Sequence, residues 1–241
     1  MGQLRELFDQ HVQSPWLDNL RRGWIASGVM QAHIDRGVRG ITSNPSIFQK
    51  AMAGADVQGI HCKTLLNKID VPRFPFRWTM NPYRGCRHAC TYCYARPTHE
   101  FWGMDSGRDF DTRVFAKVNA PEVLRKELKR PSWRREAIAI GTASDPYEPA
   151  EAEYEITRRL LHVLRDFQNP ASITTKGVLV RRDVDILAEL SQVADVHVNF
   201  SIGTINEKVW KMMEPGTPNP MSRLEAMQYL VENGISAGVM M

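Results

Sequence analysis

Three cysteines set the tightest limit on what this chain can fold around. Cys86, Cys90 and Cys93 occupy the run Asn81-Pro-Tyr-Arg-Gly-Cys-Arg-His-Ala-Cys-Thr-Tyr-Cys-Tyr, a C-x3-C-x2-C spacing with Tyr92 just before the last thiol. An odd set of thiols in one loop cannot pair off as disulfides, whereas thiolates are preferred ligands of soft metals. The loop therefore suits a soft-metal centre far better than a disulfide, and two kinds fit it. Zinc would take the three thiolates and a fourth ligand, for which His88 is the candidate. An iron–sulfur cube has four irons and ordinarily four cysteines, so three would leave one iron open to activate a substrate or cofactor.

The rest of the composition narrows the class. The chain has 241 residues, 43% apolar and 24% charged, enough for one large α/β domain or two small ones. No run approaches the ~20 apolar residues of a membrane span, so no membrane partner is expected. The opening Met1-Gly-Gln-Leu-Arg-Glu-Leu-Phe-Asp carries acids and does not read as a secretory signal. Clustered cysteines point to a reducing compartment, the cytoplasm. Cys62, in Ile-His-Cys-Lys, reads as a buried spectator. Net charge is +4, and residues 125–135 are rich in bases with Glu127 as the one acid. That run ends a helix, where bases favour the dipole and form a solvated face; nucleic acid stays a minority option as partner.

Two unlike pieces follow each other along the chain. Leu4, Leu7 and Phe8 mark an opening helix face, followed by Ser14-Pro-Trp-Leu-Asp-Asn and Gly40-Ile-Thr-Ser-Asn-Pro-Ser-Ile-Phe. This segment resembles the N-terminus of transaldolase, a (β/α)8-barrel enzyme of sugar phosphate metabolism. The resemblance implies active-site positions at Asp18 and Asn44. Transaldolase chemistry also needs a downstream Schiff-base lysine, and beyond about Gly54 no such pattern carries one. Two strands of an eight-stranded barrel cannot bury their own apolar faces. Residues 1–56 are thus expected to be a transaldolase-like fragment with vestigial site residues.

Residues 57–241 read as alternating strands and helices. Strands are expected at Phe76–Met80, Ala137–Thr142, Ala171–Lys176, Val196–Gly203 and Ile235–Met241. Helices are expected from Asn119 with proline in the first turn, over Pro149–Phe167, Asp183–Ala194, Lys208–Met213 and Ser222–Glu232. Such alternation builds a parallel sheet covered by helices. The final Val-Met-Met is apolar and uncapped, an expectation of a chain cut short.

The motif C-x3-C-x-aromatic-C resembles the cluster loop of radical S-adenosylmethionine (radical SAM) enzymes. The further runs Gly141-Thr-Ala-Ser-Asp-Pro-Tyr-Glu-Pro, Thr174-Thr-Lys, Phe200-Ser-Ile and Glu214-Pro-Gly-Thr are similar, in order, to the spore photoproduct lyase-like branch of that family. The resemblance implies a partial (βα) barrel with about five of six βα units here, behind the short transaldolase-like βα segment. It implies a [4Fe–4S] cluster on Cys86, Cys90 and Cys93, with S-adenosylmethionine chelating the open iron and cleaved to a 5′-deoxyadenosyl radical. Lys176 and Ser201 would hold the carboxylate of S-adenosylmethionine, and Tyr92 would offer a wall to its adenine. Thr142, Ser144 and Asp145 end a strand and would face cofactor or substrate, while Asp145 equally suits a helix cap. Glu214 is either a ribose contact or a turn residue, and His88 is expected to face solvent. A flavodoxin- or ferredoxin-type protein would supply the electron. The branch's hydrogen-donor cysteine is replaced in register by Thr142, and no cysteine follows Cys93, so the substrate is open.

Overall fold

A computed structural model of the chain describes residues 16–17, 35, 40–41, 56–71 and 74–241. Two compact units divide it, Met1–Ala55 and Asp56–Met241. In the first, β1 (Trp16–Leu17) and β2 (Gly40–Ile41) pair in parallel with Trp16 opposite Gly40. Asp18 and Asn44 lie outside the described residues.

The second unit opens with β3 (Asp56–Ile60), β4 (Asn67–Lys68), β5 (Trp78–Met80) and β6 (Tyr83–Arg84). A short 3-10 turn, Arg96–Trp102, and α1 (Arg108–Thr112) lead into β7 (Arg113–Lys117), α2 (Ala120–Leu128) and β8 (Ile138–Ile140). Then follow α3 (Glu151–Tyr154), α4 (Ile156–Asp166), β9 (Ala171–Thr175), α5 (Val184–Ser191) and β10 (Val196–Ser201). The last elements are α6 (Glu207–Met213), α7 (Pro220–Glu232) and β11 (Ala237–Met240). The main sheet has the order β11-β10-β9-β8-β5-β4. All its pairs are parallel except β4 with β5. The five parallel strands are the five that the sequence predicts. Their order makes an open sheet bounded by β11 and β4.

Burial alternates along the middle strands as the two-residue period requires. Ala171, Ile173 and Thr175 of β9 are buried, and so are Val196, Val198 and Phe200 of β10. Ser172, Thr174, His197, Asn199 and Ser201 share the other, half-buried face, where Asn199 Nδ2 donates to Ser172 Oγ at 3.0 Å. The buried apolar residues of both strands join the apolar stripe of α4 (Ile156, Leu160, Leu161, Leu164) in one core. Each such side chain contributes about 1.5–3 kcal/mol by leaving water.

Two local features depart from the sequence reading. The helix expected over Pro149–Phe167 is broken at Glu155, whose φ of 49° is left-handed. The Glu151 carboxylate accepts from Thr157 N–H at 2.9 Å and Arg158 N–H at 3.2 Å, satisfying the first turn of α4. A second sheet, β3-β7-β6, was also unforeseen. Its strand Arg113-Val-Phe-Ala-Lys is apolar only at its centre, where Val114, Phe115 and Ala116 are buried, so the pattern is too short to stand out.

Candidate active site

The carboxyl ends of the parallel strands carry the chemistry-bearing residues, as α/β sheets generally place them. Asn81 follows β5, Gly141 and Thr142 follow β8, Lys176 follows β9, and Ser201 ends β10. Asn81 ties two of these ends together. Its Oδ1 accepts from the amides of Ala143 at 2.7 Å and Ser144 at 3.2 Å, and its Nδ2 donates to Thr142 Oγ1 at 3.2 Å. Gly141 adopts φ 93°, and a Cβ there would stand 2.3 Å from the Thr174 carbonyl oxygen. Only glycine allows this crossing.

The cysteine loop lies across that edge. Cys86 N–H donates to the Phe110 carbonyl at 3.0 Å, and the Arg96 guanidinium donates twice to the Cys90 carbonyl, at 2.8 and 3.0 Å. Arg96 is fixed in turn by Asp111 at 2.9 Å. All three thiols are free; Cys86 and Cys90 are buried and Cys93 is half-buried, and Ala95, Phe110 and Ala143 pack with Cys86 and Cys93. Burial, reinforced by Cys86, Glu214 and Cys93 against the opposing pull of Lys176, pushes the Cys90 thiol up to about 12. Burial likewise raises Cys93. Dry, unpaired thiols of this kind become thiolates only with a cation to neutralise them, so the donor set fits a thiolate-ligated metal cluster.

A mononuclear zinc site would need His88 as fourth ligand beside the three thiols. His88 does not face solvent as expected: it is 2% exposed, with Nδ1 3.2 Å from Asp145 Oδ2. Burial alone would lower the His88 pKa, but Cys86 and Asp145 outweigh it and bring it to about 10. Desolvation likewise opposes ionisation of Asp145, and His88, Thr175 and the Lys176 amide together hold its pKa below the ordinary aspartate value.

The structure brings Tyr92, Thr142, Ser144, Asp145, Lys176 and Ser201 to one edge, in different states of engagement. Ser144 Oγ donates to the Tyr83 carbonyl at 2.9 Å. Asp145 accepts from Thr175 Oγ1 and from Lys176 N–H, both at 2.6 Å, and from Tyr147 N–H at 2.8 Å. The Thr142 carbonyl accepts from the Tyr94 hydroxyl. Lys176 Nζ donates to Ser201 Oγ, lies 5.7 Å from the centre of the Tyr92 ring and is 3.3 Å from Glu214 Oε1. Glu214 is buried, accepts from the Tyr92 hydroxyl and pairs with Arg223 at 2.7 Å. Burial opposes its ionisation, yet Tyr92, Lys176 and Arg223 keep its pKa below the usual glutamate value.

Sequence reasoning missed Asn81 and Arg223 as site residues. Asn81 heads the cysteine motif, which was its one signal; Arg223 sits in a mixed helix and gave none. Asn119 opens α2 as expected, with proline in the first turn, and its side chain holds the Cys62 backbone, accepting from its N–H at 2.9 Å and donating to its carbonyl at 3.0 Å. The base-rich run ends α2, where Arg125 pairs with Asp166 of α4 at 2.8 Å.

A parallel α/β sheet thus carries a three-thiol loop and a cation–hydroxyl pair at its carboxyl edge. The radical SAM superfamily profile matches residues 80–241, and the chain belongs to that family. It is 44% identical to an uncharacterized protein of Mycobacterium tuberculosis over 188 residues, 78% of this chain and 55% of that protein. It is 30% identical to one of Methanocaldococcus jannaschii over 177 residues, 73% of this chain and 62% of that protein. The chain thus spans little more than half the length of these curated relatives. Its fold is similar to spore photoproduct lyase complexed with dinucleoside spore photoproduct, with a TM-score of 0.58 at 16% identity, over 93% of this chain and 66% of that one. A mutant of the lyase with bound AdoMet and the same dinucleoside matches equally, at 0.58 and 15% identity, over 94% and 68%. Separately, 95 residues, 39% of this chain, are 37% identical to transaldolase of Neisseria meningitidis, covering 26% of that enzyme. Among the described residues no helix is long and apolar enough to cross a membrane.

Proposed function

We propose that residues 57–241 form a radical SAM catalytic core that binds a [4Fe–4S] cluster through Cys86, Cys90 and Cys93 and S-adenosylmethionine beside it. When bound, the pair supplies reductive cleavage of the sulfonium to a 5′-deoxyadenosyl radical that abstracts hydrogen from a substrate. One observation carries the reading: the buried three-thiol loop and the Lys176–Ser201 pair meet at one sheet edge. Lys176 and Ser201 give a carboxylate an ammonium and a hydroxyl. Tyr92 offers a flat wall, Asn81 fixes Thr142 at the rim, and Phe110, Ala95 and Ala143 keep water from the thiols. Ser144 and Asp145 shape the β8 end through their backbone and hydroxyl partners. The electron comes from a flavodoxin- or ferredoxin-type reductant, and the setting is the cytoplasm. The transaldolase-like residues 1–56, with Asp18 and Asn44, form a vestigial appendage to this core.

Iron analysis after anaerobic reconstitution tests the ligand set. The chain is expected to take up about four irons, and Cys86→Ala, Cys90→Ala and Cys93→Ala each to lose most of them. Full iron in any one variant would remove that cysteine from the ligand set.

A further inference from the structure

The Glu214-Pro-Gly-Thr turn follows α6 and straps the cysteine loop. Gly216 N–H donates to the His88 carbonyl at 3.0 Å, and Thr91 N–H to the Met213 carbonyl at 2.9 Å. The approach is so close that a Cβ on Gly216 would stand 2.1 Å from the Arg87 carbonyl oxygen. The strap delivers Glu214 beside Lys176 and divides its two oxygens. Oε1 accepts from the Tyr92 hydroxyl and lies 3.3 Å from Lys176 Nζ, while Oε2 is 2.7 Å from Arg223 Nη2.

Arg223 is an immobile partner. It is fully buried, and its Nε donates to the Pro218 carbonyl at 2.9 Å, its Nη1 to the Ser201 carbonyl at 2.9 Å, and its Nη2 to the Thr217 hydroxyl. A planar guanidinium hydrogen-bonded through all three of its nitrogens cannot follow a moving carboxylate, so Glu214 is held where Arg223 stands. Lys176 is different. Its ammonium is a point charge on a flexible stem, already shared between Ser201 and Glu214. Without Arg223, buried Glu214 would have Lys176 as its remaining close cation. Attraction between desolvated charges rises steeply at short range, and the lysine would be drawn out of reach of an incoming carboxylate.

We propose that Arg223 is a positioning residue which, by anchoring Glu214, leaves Lys176 available to the carboxylate of S-adenosylmethionine. This deepens the radical SAM reading and rests on its assignment of Lys176.

Calorimetric titration of the reconstituted full chain with S-adenosylmethionine, with iron content and melting followed in parallel, separates the two claims. Lys176→Met tests the underlying reading and is expected to weaken binding at least tenfold, about one charge-assisted hydrogen bond. Arg223→Met is expected to weaken binding about tenfold at unchanged iron content. Glu214→Gln keeps the shape of the side chain while removing its charge, and is expected to tighten binding about threefold. The double variant E214Q/R223M should return to within about threefold of the parent, because the competing acid is gone. A purely structural Arg223 predicts the opposite: a double variant as weak as R223M, and no gain from E214Q. Either result overturns the proposal, and E214Q decides alone if R223M does not fold. Unweakened binding in K176M instead overturns the assignment of Lys176, whatever the Arg223 variants do.

Discussion

Single residues at the sheet's carboxyl edge are fixed by backbone geometry as much as by chemistry. Gly141 shows this most clearly, with φ 93° and the Thr174 carbonyl oxygen where a Cβ would go. Gly141→Ala is expected to destabilise the fold by at least about 1–3 kcal/mol from backbone strain, read as a lower urea midpoint at unchanged slope. A midpoint equal to the parent's would show that the loop relaxes freely. At this scale the sequence revealed residues whose type is costly unless used: three thiols in one loop, and a lysine and a serine at strand ends. It concealed Arg223, since an arginine in a mixed helix reads as surface. Only the burial created by the β10 and Pro218 carbonyls makes it an anchor. It also misled on His88, placed between two thiols in sequence yet turned inward onto Asp145.

The elements held together by these residues depend on ionised carboxyls. Asp145 joins the β8 end to β9, and Glu214 joins the strap to the cysteine loop and α7. Both have folded pKa values depressed below the ordinary ~3.9 and ~4.3. Their stabilisation is therefore complete above about pH 5 and is lost as pH falls through 4 toward the folded values. Urea midpoints measured from pH 6 to pH 3 should fall steeply below pH 4.5. Asp145→Asn is expected to flatten that decline, and an equally steep decline in the variant would contradict the linkage. Legibility at this scale followed period and length. The five parallel strands of the main sheet stand out because β8, β9 and β10 bury unbroken or alternating apolar residues. The β3-β7-β6 sheet and the break at Glu155 were hidden. One rests on a short apolar centre, and the other on a carboxylate six residues from the amide it caps.

For the whole molecule, the radical SAM profile matches residues 80–241, and the candidate site lies within the unit Asp56–Met241. Radical SAM membership was legible because its motifs recur in order at successive strand ends, a pattern that sheet topology makes spatially coherent. Sugar phosphate chemistry is not expected of a match that covers 26% of a transaldolase. Borohydride treatment with a ketose phosphate should leave the intact mass unchanged; a stable adduct on a lysine would restore transaldolase-type chemistry to this chain. The most direct test of the central claim is electron paramagnetic resonance of the reconstituted, dithionite-reduced chain, with and without S-adenosylmethionine. A cluster with one iron open to the cofactor predicts a reduced [4Fe–4S] signal whose g-values shift when S-adenosylmethionine is added. A cluster signal indifferent to S-adenosylmethionine, or folded protein that assembles no cluster, would contradict it.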